Sequence, residues 1–338
     1  RHLAHHFVQA SCYHVDPVLS ALQDFGKRIN GVICAGTDAP HVMAAIGDEY
    51  AVVSPTPDTA LLSTDKFAQA EALFAARVNV PSFDGELYRV AASHPPPWVI
   101  KPVDSRGARG VFRVQGVEDP WDRWREIAKA ESPTGRAMIQ KWIDGQQISS
   151  ESLVQNGEIL WTAFADRNYD RLEEFAPYVI EDGCDMPSEI ASYHENDWEQ
   201  KARAELQKCV DALTLENGVL KGDLVWDGHD IWVIEVATRL SGGRMCSDIT
   251  PVVFGVDFVG MAIRIALGDY IWPGEISPYL QRHCSQRFLF PVKPQAHPDR
   301  GPHVIAAGVT RQEAQNNAAK QLKLLDASVA MGVREPVL

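Results

Sequence analysis

Short apolar runs alternate with amphipathic stretches from the start of the chain. FVQAS precedes the amphipathic VDPVLSALQDFGKR, the apolar GVICAG precedes HVMAAIGDEY, and AVVSP leads into the turn cluster Pro55-Thr56-Pro57. Apolar runs spaced by helix-period segments predict alternating strand and helix, a small parallel α/β unit over residues 1–62. A helix is expected next, at about Asp65 to Arg77, with Ser63 or Thr64 as its N-cap.

The proline run Pro95 to Pro97 then interrupts the chain ahead of a predicted strand, WVIKPV, and a glycine-containing loop, DSRGARGVF. A second strand, AMIQKWI, ends at Asp144-Gly145, and β-like runs follow at ISSESLV and ILWTAFA. A long helix is predicted over about Asp197 to Leu213. Beyond it, GVLKGDLVW and DIWVIEVA read as a strand pair joined by a turn at Asp227-Gly228-His229. DFVGMAIRIALG reads as a helix. From Tyr270 onward a β-rich stretch and a last helix, EAQNNAAKQLKLL, carry no chemical signature. No internal repeat interrupts this series.

The 338 residues are 45% hydrophobic and 23% charged, which is ordinary globular composition and long enough for two or three packed units with a cleft between them. The formal charge of −13 removes any general attraction to nucleic acid or anionic lipid, so a nucleotide must be held by local cations and backbone amides. No apolar run approaches a membrane span and no signal peptide is visible. The first residue is Arg1, so a strand or targeting segment upstream is not excluded. Six scattered cysteines without a CxxC pair read as reduced, structural thiols of a cytoplasmic protein. His2, His5 and His6 read as one face of a surface helix rather than a metal site, for want of acidic or thiol partners nearby. No nucleophile elbow occurs.

Candidate chemistry begins at Lys101. In WVIKPVDSRGARGV, Gly107 and Gly110 free the backbone to curl over an anion, and Lys101 and Arg109 add charge. Asp223 and Glu235 lie on the two strands of the predicted hairpin. Two carboxylates so placed converge on one hard cation, or else form a solvated face.

The order STDK, VIKPVDSRGARGV, MIQKWIDGQQISSES, LKGDLVW and IEVATRLSGG resembles the ATP-grasp superfamily: carbamoyl-phosphate synthetase halves, biotin carboxylase and the amino-acid ligases. The resemblance runs from about Ser63 to Gly268. It implies an α/β chain with α+β lobes: an ATP-grasp fold behind an N-terminal parallel α/β pre-domain. The expected units are residues 1–62, the ATP-grasp domain 63–268 with a lid subdomain at about 97–139, and a β-rich extension 269–338 that completes the catalytic lobe.

Carried onto this chain, the resemblance implies that Lys66 and Lys101 reach the nucleotide phosphates beneath a mobile lid, Asp104 to Gly110, in which Ser105, Gly107, Arg109 and Gly110 face the phosphates. Gln140, Lys141, Trp142 and Ile143 match the inter-lobe strand that bonds adenine, Lys141 and Ile143 through their main chains. Gln147 falls where relatives place an acid on the ribose hydroxyls. Asp223 and Glu235 match magnesium ligands, a place manganese also fits, and Ala237 stands where relatives have an asparagine ligand. Arg239 matches the arginine that stabilises the transferring phosphoryl group. Arg167, Tyr169 and Glu181 are candidates for substrate contact, with Tyr169 and Tyr178 equally readable as core aromatics. Gly242 and Gly243 lead to Arg244, a candidate grip for a substrate carboxylate.

The implied activity is an ATP-dependent carboxylate–amine ligase working through an acyl-phosphate. A bicarbonate- or carbamate-phosphorylating or carboxylase-type enzyme and a nucleotide-binding protein without turnover are the alternatives. The implied partners are a small carboxylic acid and an amine, in a protein for which a homodimer is compatible with the resemblance.

Overall fold

The computed structural model describes residues 4–192, 197–290 and 301–330. The chain opens with helices α1 (Val15–Phe25) and α2 (Pro40–Tyr50), followed by α3 (Pro57–Leu62) and α4 (Lys66–Ala75). Both predicted helices are present. The strands expected at FVQAS, GVICAG and AVVSP are not: the second contributes one parallel bridge, Ala35 to Leu240, and its apolar side chains pack onto α1 and α2 instead. Asp65, rather than Ser63 or Thr64, caps α4, its carboxylate accepting from the Phe67 and Ala68 amides at 3.0 Å. Ser63 and Thr64 instead donate back to the Thr59 and Ala60 carbonyls, closing α3.

Next come β1 (Phe83–Asp84), α5 (Leu87–Ser93), β2 (Trp98–Pro102), β3 (Phe112–Val114), α6 (Trp121–Ala130) and β4 (Ala137–Lys141). They form an antiparallel sheet in the order β1-β4-β2-β3, with α6 packed on it through Trp98, Ile100, Val114 and Ala128. The hairpin loop between β2 and β3 holds the glycine segment.

The remaining elements are β5 (Gln146–Gln155), β6 (Glu158–Asn168), α7 (Leu172–Phe175), β7 (Gly183–Met186), α8 (Trp198–Ala212), β8 (Gly218–Trp226), β9 (Ile231–Ala237), α9 (Thr250–Phe254), α10 (Phe258–Ala266), β10 (His283–Phe288), β11 (His303–Gly308) and α11 (Arg311–Ala330). Seven strands make one antiparallel sheet in the order β11-β10-β7-β6-β5-β8-β9. Its first face is covered by α8 and α4, where Trp198, Leu206 and Leu213 meet Ile148, Leu220 and Val233. Each such side chain contributes about 1.5–3 kcal/mol by leaving water. The second face is apolar at one end, where Leu153 and Val219 pack under α10. Toward the other end its residues turn polar.

Candidate active site

Strand register puts those polar residues in two rows across β5, β8 and β9. Ser149 pairs with Asp223 and Asp223 with Glu235; Glu151 pairs with Lys221 and Lys221 with Ala237. The rows are two residues apart on each strand, so all six side chains share a face. Strict alternation would have buried Glu235, because Ile231 and Val233 point into the opposite core. A bulge beside Asp223/Leu224 inserts one residue into β9 and turns Glu235 onto the cleft side.

Between these rows and the four-stranded sheet lies a cleft of about 430 Å³. Of the residues expected there, Lys66, Lys101, Ser105, Gly107, Arg109, Arg167, Tyr169, Glu181, Asp223, Glu235, Arg239, Gly242 and Gly243 line it. Lys101, 4% exposed, comes from β2. Burial pulls its pKa down to about 8, with Glu235 opposing the shift. Lys66, from the start of α4, donates to the Ser105 carbonyl at 2.7 Å and lies 3.7 Å from Glu235.

Asp223 is buried among cations. Burial raises its carboxyl, but Arg167 and Lys221 outweigh that and hold it below the ordinary range. Lys221 bonds Oδ2, and Arg167 lies 2.9 Å from Oδ1 without making a hydrogen bond to it. Arg167 also pairs with Glu181 at 2.9 Å and sits over the Tyr169 ring at 5.5 Å. That places Tyr169 in the cleft. Tyr178 instead packs on Phe112, joining the two sheets.

The loop between β2 and β3, expected to be the lid, is anchored at its base and held at its tip. Asp104 accepts from Ser132 Oγ and from the Thr134 amide, and the Arg106 guanidinium stacks on Tyr13 at 4.2 Å. Gly107 has a positive φ of 65° with open space around its α-carbon and lines the cleft. Gly110 does not line it: a β-carbon there would crowd Pro102, Glu131 and α6, so its smallness serves packing.

Five other expected residues stand at the end of β4, on the connection to β5 and at the start of β5, outside the cleft lining. Gln140 is buried, and Lys141 donates its ammonium to the Pro95 and Pro97 carbonyls. Its amide goes to the Ser82 carbonyl, so any main-chain contact from Lys141 to a ligand falls to its carbonyl. Trp142 bonds Asp144 and carries Arg113 on its ring; Ile143 and Gln147 are half-buried nearby. Arg244 also stands apart, half-exposed and 3.6 Å from Asp248.

Three residues of the site carry no signal in the sequence. Asp38 reaches Arg239 Nε at 2.5 Å, placed there because residues 34–36 hydrogen-bond to Leu240 along the extension of β9. Lys221 and Glu151 complete the second row. Glu151 is fully buried, and desolvation drives its pKa up to about 7 against the opposing pull of Ser241 and Lys221. A polar residue at alternate strand positions was the available sign, but ISSESLV is polar on both faces.

Among the described residues no three His, Cys, Asp or Glu side chains gather as a metal-binding group. The donor set nevertheless fits magnesium. Asp223 Oδ1 is a buried oxygen without a hydrogen bond, Glu235 is its registered neighbour, and magnesium takes one or two protein carboxylates with phosphate oxygens and water.

The sequence family described as an ATP-grasp domain matches residues 63–243, more than half of the chain. The protein belongs to the ATP-grasp family. A relative by sequence, the uncharacterized protein y4rH of Sinorhizobium fredii, is 24% identical over 275 residues, covering 76% of this chain and 53% of that protein. The chain thus spans about half the length of that curated relative. Among solved structures, the L-amino acid ligase from Bacillus licheniformis superposes with a TM-score of 0.69 at 18% identity, over 93% of this chain and 82% of that one. The carboxyaminoimidazole ribonucleotide synthase from Aspergillus clavatus, complexed with ATP, gives 0.73 at 15% identity, over 96% and 89%. Both share the ATP-grasp fold with this chain. Among the described residues no helix is long and apolar enough to cross a membrane.

Proposed function

We propose that the protein is an ATP-dependent carboxylate–amine ligase. The observation that carries the reading is the registered pair Asp223–Glu235, ringed by Lys66, Lys101, Arg167, Lys221 and Arg239 beneath a glycine loop. Such a cleft concentrates fixed positive charge where a triphosphate's γ-phosphoryl group would lie, and phosphoryl transfer needs chiefly position and charge neutralisation. Magnesium, held by Asp223 and Glu235, would offset phosphate charge and align the triphosphate. Lys66 and Lys101 bind the phosphates from the lid side. Arg239, fixed by Asp38, faces the charge that develops as the substrate carboxylate oxygen forms a bond to the γ-phosphorus and the bond to ADP breaks. The amine nitrogen then attacks the acyl carbon, phosphate leaves, and the amine proton passes to solvent. The likeness to an L-amino acid ligase favours an amine as acceptor.

The test is ADP and phosphate release across pairs of amino acids and small carboxylic acids, with and without bicarbonate. Release that requires an amine is expected, with Lys101→Met lowering kcat by about 100-fold in a folded protein. Release that requires bicarbonate and ignores amines would replace this reading with a carboxylating one.

A further inference from the structure

Lys221 is an odd residue for its place. It stands in the middle strand of the second row, between Glu151 on β5 and Ala237 on β9, with its side chain 12% exposed. A lysine so enclosed gives up the rotamer freedom of a long stem and much of its ammonium's hydration. The strand does not require it for packing, since its row neighbour is an alanine. Its ammonium bonds Asp223 Oδ2.

The consequence appears when the oxygen donors of the two rows are set out. Ala237 offers none. Glu151 lies beneath the surface and faces Lys221. Asp223 Oδ2 is already taken by the ammonium, while Asp223 Oδ1 makes no hydrogen bond and only faces the Arg167 guanidinium at 2.9 Å. The carboxylate donors that remain for divalent ions are therefore Asp223 Oδ1 and the Glu235 carboxylate. Those suit one ion completed by phosphate oxygens and water. A second ion beside Ala237 would meet a fixed like charge where it needs an oxygen.

On the ATP reading given above, we infer that Lys221 is a built-in cation of the nucleotide site, which occupies the place of a second divalent ion and restricts the site to one. Its charge is covalently attached and needs no free metal to be present. It also holds Asp223 so that Oδ1 remains the atom presented to the metal.

The test counts metal ions on the intact chain. Manganese is titrated into protein saturated with a non-hydrolysable ATP analogue, and free manganese is followed by electron paramagnetic resonance. Calorimetry reports analogue binding in parallel. One manganese per chain is expected for the wild type and for Lys221→Arg, and a second is expected for Lys221→Met, which frees Asp223 Oδ2. Two ions on the wild type, or a single site of unchanged affinity in a folded Lys221→Met, overturn the inference. If Lys221→Met does not fold, Lys221→Gln takes its place, and the wild-type count stands by itself. If the analogue does not bind at all, the ATP reading falls and takes this inference with it; if it binds with two ions, only this inference falls.

Discussion

Glu151 marks the point where the second face of the large sheet changes from apolar to polar. Its folded pKa of about 7 lies above the ordinary 4.5. Between those values the folded protein keeps a proton that the unfolded chain has lost, so stability falls as pH rises through that window and the loss is complete above about pH 7. A shift of that size is worth about 3 kcal/mol. Glu151→Gln removes the penalty. Urea unfolding is expected to show the variant more stable than wild type at pH 8, with little difference at pH 4.5. An equal difference at both pH values would show that the carboxyl does not titrate in that window. This residue was illegible in sequence because serines flank it on both strand faces, whereas Lys101 was legible through the glycines that follow it.

At the scale of elements, β9 shows both what the sequence pattern discloses and what it hides. The hairpin with β8 and its turn were readable, since Asp227 is placed to accept from the His229 and Asp230 amides. The bulge that turns Glu235 to the cleft was not, because alternation alone assigns Glu235 to the core with Ile231 and Val233. What secures the bulged strand is Gln69 of α4, buried, which donates to the Val236 carbonyl at 2.8 Å and accepts from its amide at 2.9 Å. Gln69→Leu leaves two buried backbone groups unpaired and is expected to cost about 2–4 kcal/mol, with metal-dependent nucleotide binding weakened as Glu235 loses its fixed position. Thermal melting and analogue titration read the two effects; wild-type values in both would free Gln69 of this role. The N-terminal strands failed for a related reason. GVICAG is apolar enough for a strand, yet it meets the sheet only at Leu240, and its side chains find burial between helices instead.

Across the whole molecule, the turn ahead of α1 and the loop between β2 and β3 meet beside the cleft. Arg106 on Tyr13 is a contact worth about 1 kcal/mol, so Tyr13→Ala is expected to let the lid open about fivefold more often. Trypsin cleavage after Arg106 in the nucleotide-free protein should accelerate by that factor, and added ATP analogue should suppress it. Equal cleavage in both proteins would show that the stack does not hold the lid. The β6–β7–β10 end of the large sheet is held by a different set of charges. Asp166 and Asp185 are buried between β6 and β7, and their partners, Arg287 at the end of β10 and Arg311 at the start of α11, lie about a hundred residues or more further on. During synthesis, then, a nascent chain that has emerged only as far as β9 carries two acidic side chains without their arginines and a β7 edge without its neighbour. Such an intermediate cannot finish its sheet, and its exposed edge invites pairing with another unfinished chain, so the ribosome must deliver the arginine-bearing strand before the lobe is safe from aggregation.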